Sequence, residues 1–108
     1  GVATGRMTPE RFAEVTAAAP ARLFGLKRKG VLAPGFDADL TLWEQEARWT
    51  LHHAQMESRV DFTPWDGAAM TGRPVLTVSR GRIVMRDGEI DGAAAGHGRL
   101  VAQEAPDT

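Results

Sequence analysis

Apolar and polar positions change their spacing twice along this chain, and the changes divide it into a helical start and a strand-rich remainder. Thr8-Pro9-Glu10 is a helix opening, with a hydroxyl to cap, a proline at the first helical position and an acid at the positive end of the dipole. Phe12, Val15 and Ala19 follow at helical spacing and mark an apolar stripe. Pro20 is expected to break that helix and start a second, from Ala21 to Phe24, which Gly25 ends. Leu23, Phe24 and Leu26 make a dense apolar cluster in a unit too small to have its own core, so the helices must dock on something.

From Val31 the period shortens. Pro34-Gly35 is a turn dipeptide, and Ala38 to Trp43 alternates as a half-buried strand with Leu40 and Leu42 on one face. Arg48 to His53 predicts a second strand, with Trp49, Leu51 and His53 on one side. Met56 to Gly72 has no period and carries Pro64, Gly67 and Gly72; Phe62 and Trp65 make it an ordered loop and not random coil. Val75 to Arg80 and Arg82 to Arg86 are the clearest strands, joined at Gly81, where a positive φ costs little. Asp87-Gly88 turns the chain into a short return strand, Glu89-Ile90. The stretch from Asp91 to Thr108, rich in glycine and alanine, reads as an extended arm ordered against a partner or a neighbouring subunit. No internal repeat is present. The expected fold class is α+β: two short N-terminal helices followed by mainly β structure.

Composition changes this picture by exclusion. With 108 residues, 43% hydrophobic and 25% charged, the chain supports one domain with a modest core. A complete (β/α)8 barrel needs about 250 residues and does not fit. The formal net charge of -1 argues against a nucleic-acid partner; Arg80, Arg82 and Arg86 lie among acids and read as a solvated face. The absence of cysteine rules out disulfides and thiolate metal sites. No apolar run approaches the roughly 20 residues that span a bilayer, and no secretory signal opens the chain. A cytoplasmic location and no membrane partner are therefore expected. Gly1 in place of Met points to processing, a cloning remnant or a cut from a longer chain.

The residues that might carry chemistry each have a structural explanation. His52 and His53 are neighbours on the expected second strand, where side chains point to opposite faces, and no third ligand stands at a suitable spacing. His97 falls in the tail and reads as solvated. Asp37 and Asp39 lie on one side of an extended segment, but after Pro34-Gly35 they serve turn and strand entry; Asp61, Asp66 and Asp87 sit in similar turns. Gly92, Gly96 and Gly98 lack the strand and the Gly-Lys-Ser/Thr of a phosphate loop. Trp43, Trp49 and Trp65 fit a core or a subunit interface better than a ligand platform. No catalytic, cofactor-binding or metal-binding residue is assigned.

Three passages then carry a resemblance. Gly1-Val2, Gly5-Arg6-Met7-Thr8, Arg11-Phe12 and Ala19-Pro20-Ala21-Arg22-Leu23-Phe24-Gly25-Leu26 are followed by Lys29-Gly30-Val31-Leu32-Ala33-Pro34-Gly35-Phe36-Asp37-Ala38-Asp39-Leu40. The third comprises Ser58-Arg59-Val60-Asp61-Phe62-Thr63-Pro64-Trp65-Asp66-Gly67, then Thr71-Gly72-Arg73-Pro74-Val75 and Ser79-Arg80-Gly81. In this order they resemble the C-terminal end of the dihydropyrimidinase, D-hydantoinase and phenylhydantoinase family. The first resembles the last barrel helix and the "NPAKLFGL" helix, with Ala19 where Asn is usual. The second is similar to "KGxIxxGxDADL", shared across the wider amidohydrolase superfamily. The third is similar to "NVDYxPYEG…GxPVxVxSRG", with Trp65 for Tyr and Asp66 for Glu. Asp87-Gly88-Glu89 and the tail glycines match the family's ending.

The resemblance implies three regions: residues 1–30 as terminal barrel helices, 31–90 as strands of an accessory composite β-sandwich, and 91–108 as the arm. It implies a parent that hydrolyses cyclic amides with binuclear zinc and a carboxylated lysine. The family's ligands, a His-x-His pair among them, all precede the matched region; no His-x-His occurs here, and none is carried over. The expected function is a non-catalytic C-terminal part that stabilises barrel and oligomer, with no cofactor of its own. Its partner would be the remainder of an amidohydrolase chain or a barrel subunit, in a homo-oligomer. The alternative is a self-standing interaction module that pairs with a separate barrel chain or with itself. A small hydrolase using the histidines and aspartates above is the remaining reading.

Overall fold

The computed structural model describes residues 1–105, so the end of the expected arm, 106–108, lies outside the described residues. Thr8 caps the first helix as its sequence requires, its hydroxyl accepting the Arg11 N–H at 3.1 Å. The chain does not break at Pro20. Helix α1 (Pro9–Ala13) passes through a π-helical turn (Glu14–Ala18) directly into α2 (Ala19–Leu23), giving one helix instead of the two expected.

The reason lies in proline's geometry. Pro20 has no N–H, and its ring would press on the carbonyl one turn back. The wider π turn, closed by Ala19 N–H to the Glu14 carbonyl, accommodates this without ending the helix. The Thr16 hydroxyl, 2.7 Å from the Phe12 carbonyl, bonds back into the same region. Termination comes at Gly25, as expected. At φ 69° it lets Leu26 N–H reach the Ala21 carbonyl at 2.8 Å, with Gly25 N–H on Arg22, a Schellman close.

The remainder is a single antiparallel sheet of four strands in the order β1-β2-β3-β4, so the molecule is α+β. The strands are β1 (Leu40–Thr50), β2 (Ala69–Ser79), β3 (Arg82–Arg86) and β4 (Glu89–Ile90). The two strands expected between Ala38 and His53 are one long strand that stops at Thr50. Its register slips between Glu44 and Arg48, where residues 45–47 face the single Gly72 on β2. Gly72, at φ 86°, supplies the conformation that side-chain-bearing residues resist, and Trp49 Nε1 ties the two strands by donating to its carbonyl at 2.9 Å. Strand β2 correspondingly begins inside the stretch read as loop.

Both tight turns follow their sequence. Arg80-Gly81 (φ 45° and 80°) and Asp87-Gly88 (φ 51° and 82°) have positive φ at both central positions, the two-residue form whose twist suits antiparallel strands. The pairs Ser79 with Arg82 and Arg86 with Glu89 flank them.

Little of this is buried. Only Ala21 and Leu51 are sealed from solvent among the described residues. The accessible surface of 8516 Å² compares with about 5,900 Å² for a folded monomer of this mass. The radius of gyration is 15.8 Å against about 13 Å for a compact chain of this length. Leu40, Val78 and Ile83 form one cross-strand row and Leu42 lies beside Leu76 in the next, all on one sheet face. Trp43 turns instead toward the helix, where it meets Phe12.

Glycine positions separate tight from open backbone. Gly30 has φ 89°, and a methyl there would sit 2.7 Å from the Ala17 carbonyl and 2.8 Å from Ala21 Cβ, whereas Gly98 has open space. Gly30→Ala should therefore cost about 2 kcal/mol and Gly98→Ala close to nothing, read as urea midpoints.

Candidate functional site

The strongest concentration of polar side chains is the joint between helix and sheet. The turn after Gly25 places Lys29 opposite the entry to β1, and its ammonium lies 3.0 Å from Asp37 and 2.6 Å from Asp39. Arg28 adds a 3.1 Å contact to Asp37 from the solvent side. Asp37 N–H donates to the Arg28 carbonyl at 2.8 Å, so backbone and side chains close the same turn. Asp39 also accepts Arg80 N–H at 2.8 Å, which carries the connection into the β2–β3 hairpin. Gly81 N–H to the Ala38 carbonyl, 2.9 Å, lies beside it.

Charge states follow from these contacts. The Asp39 hydrogen bond raises the Lys29 pKa, and it outweighs the opposing effect of desolvation. Burial alone would raise Asp39, yet its bonds from Lys29 and the Arg80 N–H hold it below the ordinary carboxylate value. The assembly is a salt-bridged brace, with its oxygens already accepting; it offers no free base and no open ligand position.

Most of the other candidates stand apart from it, while His97 reaches its Arg80 end. His52 and His53 are not on a strand: His53–Gln55 is a single 3-10 turn. Asp66 organises that turn, accepting His53 N–H at 2.8 Å, while His52 Nδ1 is 3.9 Å from the same carboxylate. His53 Nδ1 is shielded without a hydrogen-bond partner among the described residues. His97 lies well away in sequence and packs against the hairpin tip, its Nε2 2.7 Å from the Ser79 carbonyl. Asp87 occupies the second tight turn, and Asp91 caps a 3-10 turn (Gly92–Ala94) through Ala93 N–H at 2.9 Å.

Of the tryptophans, Trp43 meets Phe12 edge-on at 6.3 Å between centroids, Trp49 bonds Gly72, and Trp65 stands two-thirds exposed. Helix and sheet flank an open cleft of about 1140 Å³, lined by Phe12, Thr16, Asp39, Trp43, Arg48 and Thr77 among others. The brace joins residues whose side chains, taken singly, carry no sign of it. Its signal was Lys29 followed by two acids on either side of Ala38, just past a Pro-Gly turn.

A profile of the amidohydrolase family matches residues 2–84. The chain belongs to the amidohydrolase family. It is 44% identical over 105 residues to D-phenylhydantoinase from Escherichia coli (strain K12 / DH10B), covering 96% of this chain and 23% of that protein. The solved L-hydantoinase (dihydropyrimidinase) from Arthrobacter aurescens superposes with a TM-score of 0.79 at 41% identity, over 83% of this chain and 20% of that one. For D-hydantoinase (dihydropyrimidinase) from Thermus sp. the TM-score is 0.80 at 35% identity, over 85% and 20%. The chain thus spans less than a quarter of the length of these relatives.

Amidohydrolases are in general metal-dependent. Among the described residues no group of three or more His, Asp or Glu is placed to hold a metal ion. The binuclear centre that the resemblance implies does not fit the donors present: Asp37 and Asp39 are paired to Lys29, and His97 is held on a carbonyl. No step through a metal is derived from this chain. Among the described residues, no helix is long and apolar enough to cross a membrane.

The brace predicts a pH signature. Lys29, raised when folded, contributes stability that is full below its ordinary value of 10.5 and is lost as pH climbs through the raised one. Asp39, lowered when folded, contributes above 3.8, and its share is lost as pH falls through the depressed value. Asp39→Asn should therefore lower the urea midpoint at neutral pH and remove Asp39's own contribution to both limbs of the stability–pH curve.

Proposed function

We propose that the chain is a non-catalytic part of a metal-dependent cyclic-amide hydrolase of the hydantoinase and dihydropyrimidinase type, one that completes and steadies a larger body. The observation that carries this reading is the exposed apolar surface. Leu23 and Phe24 at the helix end are 69% and 61% exposed, and Leu42 and Ile83 face outward on the sheet. Single exposed apolar residues need no explanation, but a chain with two buried ones among its described residues and about 2,600 Å² more surface than a compact monomer does.

The partner in this reading is the remainder of the amidohydrolase: a barrel against which the helix packs as a terminal element, and further strands that cover the open sheet face as a composite sandwich. The assembled enzyme would be a homo-oligomer. Two metal ions, zinc in the family this chain resembles, would be held by residues of that remainder, and hydrolysis of hydantoin or dihydropyrimidine rings would take place there. What this chain supplies is the helix–sheet corner held by Lys29 and Asp39, which fixes the geometry of the surfaces that the remainder meets.

The test is metal content together with hydantoin and dihydrouracil hydrolysis, on the chain purified alone. The expected result is sub-stoichiometric zinc and turnover at the buffer rate. Two equivalents of bound metal with turnover would overturn the proposal.

A further inference from the structure

The tail does more than trail from the sheet. Asp91 caps its 3-10 turn, and His97 then docks on the β2–β3 hairpin tip. There His97 Nε2 donates to the Ser79 carbonyl at 2.7 Å, and the Arg80 guanidinium donates to the His97 carbonyl. Seven residues on, Glu104 N–H donates to the Gly25 carbonyl at 2.9 Å, at the end of the helix. The Glu104 backbone crosses Gly25 so closely that a methyl there would run into its carbonyl oxygen. The side chains between, Leu100 and Val101, contribute little packing, since Leu100 is fully exposed. The segment from His97 to Glu104 is therefore held at those two residues.

These contacts close a circuit. From Gly25 the chain runs to Lys29, across the 2.6 Å ion pair to Asp39, and across a 2.8 Å bond to Arg80. His97 continues it from the hairpin tip, and Glu104 returns it to Gly25. Elsewhere helix and sheet stand apart across the open cleft, with the Phe12–Trp43 ring contact bridging them. We infer that residues 97–104 form a strap that clamps the helix end to the hairpin tip and thereby sets the width of the helix–sheet cleft. Docked, the strap fixes the helix–sheet angle; released from Gly25, it leaves that angle to the Lys29 brace and one aromatic pair.

The chain has no cysteine, so two introduced ones report without background. Glu10→Cys on the helix and Glu89→Cys on the sheet edge, both exposed, carry spin labels for a distance measurement, while amide hydrogen exchange reads Glu104 in the full chain. The expected result is one narrow distance distribution and a Glu104 amide protected at least tenfold over an unstructured peptide. Gly25→Ala should abolish that protection and broaden the distribution, with the β2–β3 amides still protected. Gly25→Ala also strains the helix end, so a chain ending at Ala95, with Gly25 intact, must give the same broadening. An unprotected Glu104 in the unmodified chain, or an unchanged distribution in the shortened one, would overturn the strap.

Discussion

Nearly all the large apolar side chains of this molecule remain in contact with water, and that shortage of burial governs the rest of its structure. Hydrophobic burial is the main favourable term in folding, and a chain that buries only Ala21 and Leu51 among its described residues cannot draw much from it. What holds the shape is instead mainly polar. A capped helix closed by a Schellman turn, two hairpins with turns of matching twist, and the Lys29–Asp39–Arg80 connection each satisfy backbone or charge. Such interactions specify geometry well and stabilise it modestly.

The same shortage explains why the molecule reads as a component. One face of the sheet carries Leu40, Leu42, Leu76, Val78 and Ile83, of which Leu42 and Ile83 are exposed, and the helix end presents Leu23 and Phe24. An interface of standard size hides about 800 Å² on each partner, and the surface in excess here is roughly three times that. Membership of the amidohydrolase family, with relatives more than four times as long, supplies the kind of body that would cover it. In the proposed arrangement chemistry would belong to the larger body, and geometry to this piece.

Much of this was legible in the residues, for local reasons. Thr8 before Pro9, Gly25 after Phe24, and Gly81 and Gly88 at the hairpins each answer a backbone need that a single residue type meets, so their roles were visible without the fold. The π turn was not. Pro20 signals a break, and only the wider turn from Glu14 to Ala18 shows how the helix continues. Nor was the union of two expected strands into β1, because the slip at residues 45–47 is absorbed by Gly72, more than twenty positions away. The brace and the far end of the tail escaped for the same cause: Asp39 meets Arg80, and Gly25 meets Glu104, through contacts that no local pattern encodes.

In the proposed arrangement the exposed face and helix end are covered by the rest of an amidohydrolase. The most direct measurement mixes this chain with a D-phenylhydantoinase lacking the 105-residue region that aligns with it, and follows complex formation by light scattering and side-chain protection by hydroxyl-radical footprinting. The expected result is an equimolar complex in which Leu23, Phe24, Leu42 and Ile83 become protected. A monodisperse chain that ignores the truncated enzyme, with those four side chains equally reactive before and after mixing, would contradict it.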